Sequence, residues 1–305
     1  MTGHSAYAQF EAVESSGGPR IDTTLVQKIK IGVKVTAEGG PCRGLRATLP
    51  IPTAWPEQKV RVVDEKTTPN VKRLQYRALS AGVEQMVVEI PYIRSGEKAT
   101  AMVVFEVERS SLLPPEDTSV YKVPTKVDRQ LQTYLGSSPY IETRHPQIVK
   151  LARQAGTGKE GWEKVEAIYD LTREKVEYKN GELKGAAKAL ADGTGDCEEL
   201  TSLFIALCRN NRIPARMVWV HEHCYPEFYL VDEKGNGHWF PCQAAGTRSF
   251  GGIPEHRPIL QKGDNFRDPD RPREPLRYVS EFVKGMANKG AGQPRVEFVR
   301  ELVGG

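Results

Sequence analysis

GTGDCEELTSLFIALCRNNRIPARMVWV, residues 193–220, is the stretch whose reading decides the fold. Apolar residues recur at Leu200, Leu203, Phe204 and Leu207, the spacing that lays one stripe of a helix against a core. The helix opens at Cys197. Gly193 and Gly195 break any preceding element, Asp196 can accept a hydrogen bond as N-cap, and Glu199 stands three residues on as its capping-box partner. A cysteine in a first helical turn meets unpaired N–H groups and the positive end of the helix dipole, both of which favour a thiolate. Glu198 and Glu199 act against this, because neighbouring negative charge raises a thiol pKa. Position alone therefore points to a reactive thiol that still needs a base. Cys208, about three turns further on the same face, reads as a core thiol. Arg209 and Arg216 read as structural ties between the helix end and the next strand.

Candidate bases follow in VHEHCYPEFYLVDEKGNGHWFPCQAAG, residues 220–246, where His221, His223 and His238 make up half of the six histidines. Met217 to Val231 is rich in Val, Trp, Tyr and Phe, and a second short run follows DEKGNG, so the two read as a β-hairpin. If Cys224 pairs with Cys242, His223 falls opposite Gln243; another register sets Glu227 opposite Gln243 instead. In the first register an imidazole and a side-chain amide are neighbours, which is the base-and-orienter half of a thiol triad. His221 shares a strand face with His223, and His238 lies on the other.

The Gly-rich turn before Cys197, the helix ending near Arg209, the RIPAR turn at 212–216, HCYPEFYL at 223–230 and GHWFPCQ at 237–243 together resemble the transglutaminase-like superfamily of papain-fold cysteine enzymes. The resemblance spans roughly residues 130–250. Position by position it implies Cys197 as nucleophile and His223 as general base, and it favours His223 over His221. Gln243 falls where the family usually carries Asp; an amide can orient an imidazole but cannot stabilise its cation by charge. The implied fold class is α+β, an N-terminal β-sandwich followed by a papain-like core of helices packed on an antiparallel sheet. The implied activity is thiol-dependent acyl transfer or hydrolysis at peptide or protein carboxamides through a Cys thioester. The acyl acceptor, the natural substrate and the oligomeric state are left open. No cofactor is implied.

The rest of the chain fits this frame. Residues 1–20 are small, polar and Gly/Ser-rich, and are expected to be disordered, although Ala6-Tyr7-Ala8 resembles the tail of a cleaved export signal and leans towards an exported protein. Ile29, Ile31, Val33 and Val35 alternate with lysines, and short strands are predicted at 45–51, 59–63, 72–79, 83–90 and 100–107, giving a β-sandwich over 21–111. A proline-marked linker covers 112–127, the transglutaminase-like domain 128–260, and a C-terminal extension 261–305. Within the domain, Pro146 opens a helix, Thr157 and Glu160 form a capping box for a second, and Leu276–Met286 reads as a short amphipathic helix in the extension. Tyr178 and Tyr225 are candidate oxyanion donors beside the firmer one, the backbone N–H of Cys197.

Net charge is +4 with basic and acidic residues interspersed, so no basic stripe argues for nucleic acid. No run of eighteen apolar residues argues for a membrane span. Five irregularly spaced cysteines exclude a disulfide scaffold and a CxxC ribbon, although Cys224 and Cys242 could pair, bonded or not. Two rival readings remain: a zinc site built from His221, His223, Cys224, His238 and Cys242, and a non-catalytic peptide-binding relative of the fold.

Overall fold

Alternation of apolar and charged residues over 29–35 builds the first strand, with Ile29, Ile31, Val33 and Val35 buried in a sandwich core. The computed structural model describes residues 17–79, 82–287 and 293–304; Ala6-Tyr7-Ala8 lies outside the described residues. Six strands come first: β1 (Arg20–Thr36), β2 (Cys42–Ile51), β3 (Gln58–Thr67), β4 (Arg73–Ala78), β5 (Glu84–Ile93) and β6 (Lys98–Leu113). Then follow α1 (Arg129–Gln132), α2 (Pro146–Gln154), α3 (Gly161–Lys175), β7 (Glu177–Tyr178), α4 (Gly185–Asp192), β8 (Thr194–Gly195) and α5 (Cys197–Asn210). The chain continues through β9 (Ala215–Val220), β10 (His223–Val231), β11 (Gly237–Gln243), β12 (Ser249–Phe250), β13 (Ile259–Lys262), β14 (Phe266–Asp268), β15 (Arg271–Leu276), β16 (Phe282–Ala287) and β17 (Arg295–Leu302).

Two four-stranded sheets, ordered β17-β1-β6-β3 and β16-β2-β5-β4, form the sandwich, and a five-stranded antiparallel sheet β12-β11-β10-β9-β13 forms the centre of the second unit. The last two strands, β16 on β2 and β17 on β1, return the chain to the sandwich. The expected helix at Leu276–Met286 is therefore absent. Val283 there packs against the sandwich core as part of a strand, whereas Leu276 ends β15 and packs with Val279 in a separate small cluster around Phe266, so the apolar residues do not share one face. The capping box expected at Thr157 also fails: α3 starts at Gly161 with Glu160 as N-cap, and the Thr157 hydroxyl instead donates to the Arg153 and Gln154 carbonyls at the end of α2. α2 begins as predicted, with Pro146 in its first turn.

α5 is buried on nearly every side, from Glu199 to Arg209, and packs on β9 and β10 with α2, α3 and α4 around it. Phe204, Phe228, Phe240, Phe250 and Trp162 interlock beside it, Phe228 stacked on Phe250 with ring centres 5.1 Å apart. Each such ring removed from water stabilises the fold by about 1.5–3 kcal/mol. Arg209 donates to the Ala215 carbonyl and makes a two-pronged 2.8 Å pair with Asp264, tying the helix end to β9.

The opposite face of the sheet meets the sandwich through a buried ionic network. Lys262 Nζ lies 2.6 Å from both Glu57 and Glu227, Arg216 pairs with Glu227, and Arg109 of β6 donates to the Tyr225 hydroxyl. The sandwich thus fixes β10 from behind while α5 fixes it from the front.

Candidate active site

The GTGDC turn is shaped by close packing. Gly193 caps α4 in the left-handed region at φ 69°, and a Cβ on Gly195 would sit 2.6 Å from Glu199 Cβ, so α5 approaches this turn too closely for a side chain. Asp196 accepts from the Glu198 N–H at 2.8 Å while the Glu199 carboxylate accepts from the Asp196 N–H at 3.0 Å, completing the capping box. Cys197 is thereby the first helical residue, half-buried, its side chain on a cleft of about 450 Å³.

The predicted long strand 217–231 is broken in two by a tight turn at His221-Glu222, with Glu222 at φ 57°, so His223 opens β10 opposite Val220 and Cys224 lies opposite Trp219. β10 and β11 pair Phe228 with Phe240 and Glu227 with Pro241. Continued past its last pair, Glu227 with Pro241, that register sets Tyr225, rather than His223 or Glu227, level with Gln243. A slip of two residues keeps every side chain on its expected face, so Gln243 still reaches His223 along the diagonal. The His223 Nε2 is 3.2 Å from the amide nitrogen of Gln243 and 3.5 Å from its oxygen. The Gln243 backbone carbonyl accepts in turn from the Tyr169 hydroxyl at 2.8 Å and from Arg173 at 3.2 Å.

His223 and Cys224 line the cleft beside Cys197 and set its ionisation. The Cys224 thiol does most to lower its pKa; burial opposes this; the His223 ring, by hydrogen bond and charge, and the Cys224 N–H then bring it to about 4. Burial lifts Glu198 to about 7 and Asp196 to about 6, so these two carry reduced charge beside the thiolate; at Glu199 burial is overcome by hydrogen bonds from Asp196 and the Lys184 N–H, which hold it below the ordinary carboxylate value and keep it charged. Arg277 also pairs with Glu198 and lies 5.3 Å over the Trp219 ring. The wall is completed by Tyr178, Asn180, Tyr278 and Arg300.

Residues 149–244 match the family model of the transglutaminase-like superfamily. This chain carries a transglutaminase-like domain. The solved structure of a candidate cysteine protease from Cytophaga hutchinsonii shares its fold over 91% of this chain and 93% of that one, at 19% identity and a TM-score of 0.56. A candidate protease from Parabacteroides distasonis ATCC 8503 overlaps 70% of this chain and 47% of that one, at 11% identity and a TM-score of 0.28. No curated protein matches the chain.

The transglutaminase-like domain brings Cys197, His223 and Gln243 together and disperses the other candidates. His221 is buried in the turn, where burial lowers its pKa, and His238 sits by Asp232 at 3.3 Å at the far end of the hairpin, packed on Tyr121 and Phe240. Cys242 is sealed in the core, all five thiols are free, and among the described residues no three His, Cys, Asp or Glu are placed to hold a metal ion; the set of five proposed for zinc is not assembled. Tyr225 is buried behind the sheet against Arg109, away from the cleft, whereas Tyr178 lines it and donates to Asn180.

Sequence reasoning missed Cys224 and Arg277. Cys224 had a signal: it keeps the two-residue period of Phe228 and Leu230, the side chains of β10 that pack in the helix-side core. Arg277 had none, because the return of the chain towards the sandwich brings it to the cleft.

Proposed function

We propose that this domain cleaves or transfers peptide or protein carboxamides through a thioester on Cys197. The observation that carries the reading is the grouping at the cleft: a helix-mouth sulfur that shares its wall with His223, whose Nε2 is engaged by Gln243. With Nε2 occupied, Nδ1 is the nitrogen left for the sulfur and the leaving amine. The Cys197 thiolate attacks the amide carbon, and the negative charge that develops on oxygen is met by the Cys197 backbone N–H at the start of α5. His223 gives its proton to the departing amine, Gln243 holds the ring in place, and the acyl group passes from sulfur to water or to an amine. We favour water as the acceptor, in keeping with the description of the Cytophaga protein as a candidate protease.

The test is iodoacetamide labelling followed by peptide mapping, with turnover of glutamine-containing peptides measured in parallel. Cys197 takes the label first, Cys197→Ala abolishes turnover, and ammonia or a new amino terminus appears without added amine. Preferential labelling of Cys208 or Cys42, or turnover that survives Cys197→Ala, overturns the reading. Intact turnover that demands a primary amine moves the assignment from hydrolysis to transfer.

A further inference from the structure

The cysteines of this chain fall into separate surroundings. Cys42 lies in the sandwich, and Cys208 and Cys242 are fully enclosed in the helix–sheet core. Cys197 and Cys224 alone of the cysteines border the cleft, and Cys197 packs against the core cluster that contains Cys224. Two elements that are fixed independently meet here. The capping box holds Cys197 at the mouth of α5, and the turn at 221–222 sets Cys224 opposite Trp219 with its side chain towards that helix. Cys224 is 2% exposed, so a reagent in solvent reaches Cys197 first and Cys224 only through Cys197. Burial and the adjacent sulfur keep Cys224 in the thiol form.

We propose that Cys224 is a resolving thiol, which closes a reversible disulfide onto Cys197 after a hydroperoxide has oxidised it. In the first step the Cys197 thiolate attacks the peroxide; the O–O bond breaks, an S–O bond forms, and the alcohol or water half leaves with a proton, so that Cys197 becomes a sulfenic acid. In the second the Cys224 sulfur attacks that sulfur, an S–S bond forms, and the hydroxyl leaves as water with the Cys224 proton. Two thiols have then given two electrons to one peroxide. A dithiol reductant returns two electrons and two protons by exchange and restores both thiols. The consequence is that the exposed nucleophile is diverted from irreversible sulfinic acid. The pairing requires the nucleophilic character of Cys197 and the position of Cys224, and it does not require amide turnover, so it stands or falls separately from the proposed reaction.

Reduced full-length protein is exposed to graded hydrogen peroxide, blocked with N-ethylmaleimide, digested without reductant and mapped by mass spectrometry. A Cys197–Cys224 linked peptide, two hydrogens lighter than the sum of its halves, is expected to dominate at low dose, and dithiothreitol should restore alkylation of Cys197. In Cys224→Ser, dimedone should trap the sulfenic acid, and recovery by dithiothreitol should be lost as sulfinic acid accumulates. Because that variant could fold poorly, Cys224→Ala is run beside it with a circular dichroism melt, and the wild-type linkage is read without either. Sulfinic acid at Cys197 with no linked peptide in the wild type, or a linked peptide between Cys208 and Cys242 in its place, overturns the proposal.

Discussion

Alkylation of Cys197 as a function of pH tests the electrostatics of the site before any substrate is known. Its pKa of about 4 compares with an ordinary value of 9.0. A lowered folded pKa means the thiolate is present at every pH above about 4 and is lost only below it. At pH 6 Cys197 is then almost wholly thiolate, against about one part in a thousand for an ordinary thiol. Nucleophilicity falls with pKa at a Brønsted slope of roughly 0.4–0.5, so the same drop costs about a hundred- to three-hundredfold per thiolate. The net expectation is iodoacetamide capture about three- to tenfold faster than a free thiol at pH 6, and about ten- to thirtyfold slower at pH 8. Second-order rates for the Cys197 peptide, followed by mass spectrometry from pH 5 to pH 9 beside N-acetylcysteine, should give a flat profile that crosses the rising reference line. His223→Asn removes a hydrogen bond and a charge that lower the pKa, and should restore part of the slope. A wild-type rate that climbs about tenfold per pH step between 6 and 8, as an ordinary thiol does, refutes the reasoning.

Gln243→Ala should lower kcat/KM on a peptide amide roughly three- to tenfold, the value of about one neutral hydrogen bond, whereas Gln243→Asp should match or exceed the wild type by adding charge stabilisation to the imidazolium. A loss in Gln243→Asp as deep as in the alanine variant would show that the residue does not orient His223. Glu227→Gln leaves Arg216 and Lys262 buried with weakened compensation and should cost about 3–5 kcal/mol in urea unfolding at pH 7. Burial acts to raise the Glu227 pKa, but Lys262 and Arg216 hold it at about 2 against an ordinary 4.5. Its stabilising share is therefore complete above pH 4.5 and is lost as pH falls towards 2, and the gap between wild type and variant should close over that window.

The parts of this molecule that were legible in its sequence are those fixed by local rules. The N-terminus of α5 is one: two glycines, Asp196 and Glu199 settle it by backbone sterics and capping within seven residues. The alternation of Ile29 to Val35 and the start of α2 at Pro146 are of the same kind. What failed depended on partners distant in the chain. Leu276–Met286 carries apolar residues at helical spacing, and only pairing with the edge of β2, more than two hundred residues earlier, makes 282–287 the strand β16. The register of β10 against β11 failed for a related reason, because the tempting cysteine pair ignores the loop at 232–236, whose length and internal Asp232 hydrogen bonds set which residues face each other. The side-chain faces survived the slip because it was even. That is why Gln243 lies beside His223 although the two are not directly paired.

The same geometry bears on why an amide can stand at Gln243. A carboxylate accepts hydrogen bonds only, whereas an amide can donate to a bare Nε2 and, turned over, accept from a protonated one. Both amide atoms of Gln243 lie within 3.5 Å of that nitrogen, so either arrangement needs little movement. The anionic charge that an Asp would bring is absent from this position, and the thiolate is instead stabilised from its own side by the Cys224 thiol and N–H. It follows that Cys224 and Gln243 should be coupled: in a double-mutant cycle, Gln243→Asp should recover more activity in a Cys224→Ala background than in the wild type, and strictly additive effects would show that the two supports act independently.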